Sequence, residues 1–292
     1  MKRLTAPDGM EICYWVRRCG DGPSPAMLLI HGAASNHTRW SEFARRTRLG
    51  NGYDLILPDM RGNARSMCRG RLGLDVWCED LVAILDAENC KSAIVVGHSL
   101  GAQIALHLAA SHPQRVRALA LIDPIVRKAL LGRPRRLRRL EPLVKVAILI
   151  LRMLNRLGLK RRRFPQMDLE ALDTKTREAM RGDHPQEFLV RRYSGIRLIL
   201  QHMPIANYLQ QLVASISPLP KLERIAIPTL VLESTGVGVM NRATSRTEFA
   251  RLPVLQRVEI NATHWPLTER PDEVRRAIES WVERLEQARC RR

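Results

Sequence analysis

A serine flanked by two glycines carries the clearest chemical signal in this sequence. The pentapeptide Gly97-His98-Ser99-Leu100-Gly101 follows the apolar run 93–96 and precedes a helical pattern at 102–110. A turn this tight between a strand and a helix holds the serine in a strained backbone conformation, and the flanking glycines avoid Cβ clashes. This arrangement, a nucleophile elbow, presents the serine hydroxyl for attack on a substrate. The motif therefore predicts nucleophilic catalysis by Ser99.

The elements around this motif alternate between strand and helix signals. A final helix is predicted to begin at Pro271, since proline is favoured at the first helical position, and to run toward Ala288. The alternation predicts an α/β fold with a mainly parallel sheet flanked by helices. Short apolar runs bounded by Gly, Pro or Asp are predicted as strands at 12–16, 26–30, 55–57, 93–96, 118–122, 229–232 and 255–260.

The pattern changes after Pro124, where about a hundred residues carry helical and basic segments without a strand signal. This stretch ends at the Pro218-Leu219-Pro220 punctuation. A chain of 292 residues is near the upper size for a single hydrophobic core, so one large domain with an insertion is expected. The sequence predicts a core at 1–123 and 221–292 and a helical cap, or lid, at 124–220.

With these elements in this order, the chain resembles the α/β-hydrolase superfamily, in particular serine hydrolases with a cap domain. The resemblance extends across nearly the whole length. It implies that His31-Gly32-Ala33-Ala34, after the predicted strand 26–30, forms the oxyanion loop. The backbone N–H groups of Ala33 and Leu100 would then form the oxyanion hole, binding the negative oxygen of a tetrahedral intermediate.

A serine nucleophile needs a base, because its hydroxyl is almost never ionised at neutral pH. His264 lies in the stretch 261–266, after the last predicted strand, which is where the family keeps its catalytic histidine. We therefore predict His264 as the base. The other seven histidines are interpreted as parts of motif backbones or as surface, helix and cap residues.

The acid of the catalytic triad is where this sequence departs from the family pattern. Family members usually carry an Asp about nine residues beyond the Pro that opens the seventh strand, but counting from Pro228 reaches Val237, and the stretch 233–240 contains no Asp. Some members instead place the acid after the sixth strand of the family fold. The predicted strand 118–122 corresponds to that strand, and Asp123 follows it. Asp123 is the leading candidate and Glu233 the alternative acid, while a turn-opening role for Asp123, a dyad and a non-catalytic site stay open.

The identity of the residue at the elbow, Ser99, also narrows the class of reaction. Similar enzymes that cleave haloalkanes and epoxides use an aspartate nucleophile, where this chain has Ser99. The resemblance implies a carboxylesterase-like or lipase-like hydrolase that cleaves a carboxylic ester, thioester or lactone, with an apolar substrate, through an acyl-enzyme and without metal or organic cofactor. The alternatives are a pseudoenzyme or ligand-binding protein lacking a competent acid, and a lyase or transferase using the same site.

The charge of the chain is large and uneven. A net charge of +19 with 45% hydrophobic residues describes a folded, very basic protein and excludes disordered and collagen-like chains. Residues 127–163 hold fourteen Lys and Arg and one acid, Glu141, so +13 of this charge lies in 37 residues. Within this stretch Lys145, Arg152, Arg156 and Arg163 share one side of a helix whose remaining circumference is apolar.

This basic amphipathic helix favours a lid whose apolar face covers the active-site pocket, with possible peripheral contact of the basic cap 127–163 with an anionic membrane. An arginine-rich solvated face is the simplest alternative. The composition argues against nucleic acid as a partner, since the cap has few aromatic residues for base stacking and no recognisable binding motif.

The six cysteines, at positions 13, 19, 68, 78, 90 and 290, include no C-x-x-C pair. The N-terminus has Lys2 and Arg3 but no apolar segment after them, and the longest apolar stretch, 143–151, contains Lys145 and is too short to span a bilayer. These features predict reduced thiols and a cytoplasmic location.

Overall fold

An eight-stranded sheet forms the centre of the molecule. The computed structural model describes residues 1–161, 163–180, 193, 195–236 and 240–290. The strand order is β1-β2-β4-β3-β5-β6-β7-β8, with β2 antiparallel to β1 and β4 and the remaining neighbours parallel. The strands are β1 (Lys2–Thr5), β2 (Glu11–Arg17), β3 (Ala26–Ile30), β4 (Asp54–Pro58), β5 (Ala93–His98), β6 (Val116–Ile122), β7 (Thr229–Ser234) and β8 (Leu255–Ile260).

Helices cover both faces of this sheet. Its central strands are buried on both sides, as their continuous apolar runs predicted. The flanking helices are α1 (Ser41–Arg46), α2 (Leu74–Ala87), α3 (Leu100–Ser111) and α11 (Pro271–Cys290). In β3, Leu28 and Ile30 face the core shared with α2 and α3, while Met27 and Leu29 face the core shared with α1 and α11. The prediction of an α/β fold with a mainly parallel sheet is confirmed.

A helical segment joins β6 to β7, and we call residues 124–228 the inserted segment. Its described residues contribute no strand to the sheet. The division of the chain into a core and a cap at 124–220 stays a prediction. The helices of this segment are α4 (Gly132–Arg139), α5 (Glu141–Arg156), α6 (Leu169–Ala179), α7 (Ile196–His202) and α8 (Ile205–Ser215).

Two short helices, α9 (Arg242–Phe249) and α10 (Pro266–Glu269), lie beside the last two strands. Within the described ranges, no helix is both long enough and apolar enough to cross a bilayer.

Buried polar groups join the inserted segment to the rest of the protein. Asn207 of α8 is fully buried and donates from Nδ2 to the carbonyl oxygens of Gly62 (3.0 Å) and Cys68 (2.7 Å). Arg39, also buried, pairs with the Asp173 carboxylate of α6. Because an unpaired buried polar group is costly, these bonds fix where α6 and α8 sit.

The register of the parallel strands determines which residues meet at their carboxyl ends. His98 of β5 pairs with Ile122 of β6, and Ile122 pairs with Leu232 of β7. The Ser99 N–H donates to the Ile122 carbonyl oxygen, and the Asp123 N–H donates to that of Leu232, each at 2.9 Å. Ser99 and Asp123 therefore begin the loops at the same edge of the sheet.

Candidate active site

Ser99 occupies a strained turn between β5 and α3. Its backbone has φ of 53° and ψ of −112°, a region that residues with a side chain rarely adopt. A Cβ at Gly97 would lie 2.3 Å from the Gly101 carbonyl oxygen, and one at Gly101 would lie 2.3 Å from that of Ile30. Only glycine fits at either position, so the two glycines of the motif permit the close approach of strand and helix that exposes the Ser99 hydroxyl to the site.

His264 lies in the loop between β8 and α10, and its ring contacts both other candidate residues. Its Nε2 is 2.9 Å from Ser99 Oγ, and its Nδ1 is 2.6 Å from Asp123 Oδ2. In the neutral tautomer that suits both contacts, Nδ1–H donates to the carboxylate and Nε2 accepts from the serine hydroxyl. The ring is thus placed to take the proton of Ser99.

Asp123 is held by a second hydrogen bond as well as by His264. Its Oδ1 accepts from the Ser234 N–H at 3.0 Å, and its backbone has φ of 49° directly after β6. Burial alone would raise the pKa of this carboxyl group, but the hydrogen bond and charge of His264 bring the pKa below its usual value. The group therefore stays ionised and aimed at the imidazole.

Glu233, the alternative acid, is engaged elsewhere. Its Oε2 accepts from Nε of Arg246 at 3.0 Å. It does line a cavity of about 60 Å³ together with Asp123 and His264, so it lies near the site. The contacts of the described residues pair His264 with Asp123, and Val237, the position where the family pattern places an Asp, lies outside the described residues.

The predicted oxyanion loop lies beside the nucleophile. A Cβ at Gly32 would lie 3.5 Å from Cβ of Ser99, so the loop after β3 reaches the elbow directly. In the described part of the chain, neither the Ala33 nor the Leu100 amide donates a hydrogen bond. Leu100 also begins α3, where the partial positive charge of a helix N-terminus favours an anion.

One interaction that the sequence did not reveal connects α8 to this loop. The Ala34 N–H donates to Oε1 of Gln211 at 2.7 Å, and Nε2 of Gln211 donates to Oδ1 of Asn63 at 3.0 Å. Gln211 is fully buried, and Ala34 has φ of 50°. The inserted segment therefore holds the backbone next to Ala33 in place. A glutamine in an amphipathic helix gives no sequence signal for such a contact.

Two buried histidines support the loops of the site. Nε2–H of His98 donates to the His264 carbonyl oxygen at 3.0 Å, and the Met60 N–H donates to Nε2 of His31 at 3.0 Å. Burial lowers the pKa of His98 to about 3 and that of His31 to about 4, so both rings are neutral. Their sequence interpretation as parts of motif backbones did not include these contacts.

The chain belongs to the α/β-hydrolase fold family, whose family model matches residues 25–271. Among curated proteins it is similar to lipase LipV of Mycobacterium tuberculosis, at 34% identity over 117 residues, which is 40% of this chain and 44% of that protein. This match spans less than half the length of either protein.

Solved structures match over nearly the whole fold. A thermophilic esterase from Thermogutta terrifontis superimposes with a TM-score of 0.69 and 19% identity, covering 97% of this chain and 99% of that one. The enol-lactonase of Burkholderia xenovorans gives a TM-score of 0.66 at 17% identity, covering 97% and 100%. At these identities the likeness establishes the fold.

Proposed function

We propose that this protein is a serine hydrolase that cleaves an ester-like bond, in a carboxylic ester, thioester or lactone, through an acyl-enzyme. The observation that carries the proposal is the chain of contacts from Ser99 Oγ through the His264 ring to the Asp123 carboxylate, at 2.9 and 2.6 Å. This is the arrangement by which a base activates a hydroxyl nucleophile and an acid orients the base.

In this proposal each group has a separate role. Ser99 Oγ attacks the carbonyl carbon while its proton passes to Nε2 of His264, and Asp123 stabilises the imidazolium that forms. The amides of Ala33 and Leu100 donate to the oxyanion of the tetrahedral intermediate. His264 then gives the proton to the leaving oxygen or sulfur, and a water molecule, deprotonated by the same ring, releases the acyl group from Ser99.

An apolar substrate is part of the same proposal. The inserted segment contributes Met167, Ile199 and Met203 to a cavity of about 20 Å³ next to Ala34, which the polar side chains of Asn36, Asn63 and His202 also line. Aliphatic and thioether side chains suit an apolar acyl or alcohol group better than a charged one. The names of the similar proteins, a lipase, an esterase and an enol-lactonase, support an ester-like bond, and the lipase among them supports an apolar substrate.

Active-site labelling with a fluorophosphonate probe, read by intact mass, tests the proposal. The wild type is expected to gain one adduct and Ser99→Ala none. Ser217→Ala is the control, because the Ser217 hydroxyl donates to the Val213 carbonyl oxygen within the inserted segment, and this variant should label as the wild type does. A mild detergent keeps an occluded site accessible. Absence of an adduct in the wild type would contradict an activated serine.

The remaining alternatives differ in their products. The absence of an Asp from the stretch 233–240 favoured the interpretation as a binding protein without a competent acid. The Asp123 carboxylate, 2.6 Å from Nδ1 of His264, supports catalysis instead. Turnover of an ester panel in ¹⁸O-labelled water separates hydrolysis from the other reactions: hydrolysis places one ¹⁸O in the acid product, whereas acyl transfer or a lyase reaction places none.

We also propose that the protein is located in the cytoplasm. All six cysteines are free thiols, which supports a reducing compartment.

A further inference from the structure

We infer that the outward side of α5 is a docking surface for an anionic lipid bilayer. This inference concerns a surface separate from the catalytic residues and does not rest on the proposed hydrolase activity. It rests on which half of the helix the fold covers, on the side chains of the other half and on the charge beside them.

The apolar circumference of α5 divides into two halves. Ile148 is buried and Val144, Ala147 and Leu151 are partly buried, on the side where α5 packs against α8. The opposite side is left open, and we call it the outer face. Its side chains are 36% to 77% exposed and comprise Leu143, Val146, Leu149, Ile150, Met153, Leu154 and Leu157.

That the apolar face of the helix covers the active-site pocket stays a prediction. In the part of the chain that the structure describes, only the inner half of α5 packs on the protein. Seven large apolar side chains in contact with water on one helix exceed the scattered exposure that is normal for a soluble surface, and a patch of this kind marks an interaction site.

Basic side chains lie along one border of the outer face. At 100° per residue, Lys145, Arg152 and Arg156 fall within about 40° of one another and directly beside Leu149. The surrounding stretch 127–163 has a net charge of +13, and its one acid, Glu141, already pairs with Arg127 and Lys145. A surface that covers the outer face must therefore be both apolar and anionic.

A bilayer with acidic headgroups fits both requirements. The helix of 16 residues is about 24 Å long, too short to span a membrane but suited to lying in the interface. Its leucines would enter the acyl boundary by about 5–10 Å while the neighbouring cations stay at the phosphates.

Other occupants fit less well. A second copy of the chain would bring two segments of +13 together, which is repulsive at ordinary salt. Nucleic acid would pair with the arginines but leave the leucines in water, and α5 contains no aromatic residue on which a base could stack.

Vesicle sedimentation with the full chain tests the inference. Vesicles of phosphatidylcholine alone are compared with vesicles containing about one third phosphatidylglycerol, and Ser99→Ala is run in parallel so that lipid cleavage cannot alter the vesicles. We expect at least tenfold tighter binding to the anionic vesicles, weakened strongly by 0.5 M salt because screening shortens the range of the attraction. Equal binding to neutral vesicles, or none to either, would overturn the inference.

Matched variants separate the outer face from general charge and hydrophobicity. Leu149→Asp with Met153→Asp should reduce anionic-vesicle binding at least tenfold, whereas Val254→Asp, at an exposed apolar position outside α5, should not. Arg152→Gln with Arg156→Gln should weaken binding more than Arg276→Gln with Arg284→Gln on α11. Leu149, Met153, Arg152 and Arg156 all lie in α5, and circular dichroism checks that each variant is folded.

Two results would assign the face to another occupant. A dimer that Leu149→Asp with Met153→Asp converts to a monomer would mean that a second copy covers it. Oligonucleotide binding that survives this pair but is lost with the arginine pair, without vesicle binding, would mean that the charge serves nucleic acid.

Discussion

The Asp123 carboxylate lies 2.6 Å from Nδ1 of His264, although the two residues are 141 positions apart in the chain. The acid comes from the end of β6 and the histidine from the loop after β8, with β7 between them in the sheet. The Ser234 N–H at the end of β7 binds the other carboxylate oxygen, so the intervening strand orients the acid.

Removing the charge of Asp123 should nearly abolish turnover. Asp123→Asn keeps the size of the side chain but replaces the carboxylate beside Nδ1 of His264 with an amide. This replacement favours the wrong imidazole tautomer of His264. We expect a loss of about 10⁴-fold in kcat, as such a change causes in serine triads. Steady-state hydrolysis of an activated ester measures it.

Glu233→Gln is the matched control for this change. Glu233 lies at the end of the neighbouring strand and binds Arg246, so its neutral analogue should leave kcat within a few-fold of the wild type. Full activity in Asp123→Asn combined with loss in Glu233→Gln would reverse the assignment of the acid.

Gln211 is expected to act as a positioning residue for the oxyanion loop. Gln211→Met has a similar length but removes the acceptor for the Ala34 N–H and the donor to Asn63. Because the adjacent Ala33 amide stabilises charge that develops only in the transition state, we expect kcat to fall about tenfold or more while KM changes little.

The neighbouring Gln210 controls for the loss of a buried amide on the same helix. It accepts from the Leu72 N–H and donates to the Gly70 carbonyl oxygen, in a loop away from the elbow. Gln210→Met should therefore lower stability without lowering kcat. Equal effects of the two substitutions on kcat would indicate that Gln211 serves only to hold α8.

The elbow glycines should tolerate no side chain. Gly101→Ala places a Cβ 2.3 Å from the Ile30 carbonyl oxygen, and the backbones of α3 and β3 cannot move apart without disrupting the packing of the helix on the sheet. We expect a loss of more than about 4 kcal/mol in the free energy of unfolding, or no folded protein. Gly52→Ala, where no atom lies within 4 Å of the new Cβ, should shift the melting temperature by only a few degrees. A Gly101→Ala protein as stable as the Gly52→Ala protein would contradict the packing at the elbow.

Acid should destabilise the fold through His31 and His98. Their native pKa values, about 4 and about 3, lie below the 6.5 of an exposed histidine, so the unfolded chain binds more protons as the pH falls. Stability is therefore present above pH 6.5 and lost on going down toward pH 4. At pH 5 each ring should cost about 2 kcal/mol relative to pH 7.5. Carboxyl groups contribute less in this window because they titrate near pH 4 when unfolded.

Urea unfolding at several pH values measures this loss. His98→Gln keeps an amide donor on the side chain and should reduce the loss of stability at pH 5 by about 2 kcal/mol. An unaltered pH dependence in His98→Gln would mean that this ring is not the neutral, buried group described above.

Local signals made most of the fold predictable. Each buried strand is a short apolar run bounded by turn residues, and the predicted bounds at 26–30 and 255–260 agree with β3 and β8. The elbow was recognisable because close packing of a strand on a helix demands glycine at 97 and 101, which leaves a pattern in adjacent residues. The position of His264 followed from its place after the last strand.

The inserted segment was less predictable. The sequence indicated the basic amphipathic helix but not which half of its apolar circumference is buried. That choice depends on α8, which lies some fifty residues further along the chain and packs against α5. Periodicity within one helix describes its own surface and carries no information about the partner that covers it.

The sequence by itself determined the α/β class, the nucleophile candidate and the base candidate, because each leaves a local pattern. Only the tertiary structure decided between Asp123 and Glu233 as the partner of His264. Both end strands at the same edge of the sheet, and their distances from the imidazole depend on the register of β6 against β7 and on Arg246, which binds Glu233. Contacts between residues this far apart in the chain arise from packing of the whole sheet, so no stretch of sequence around either acid contains them.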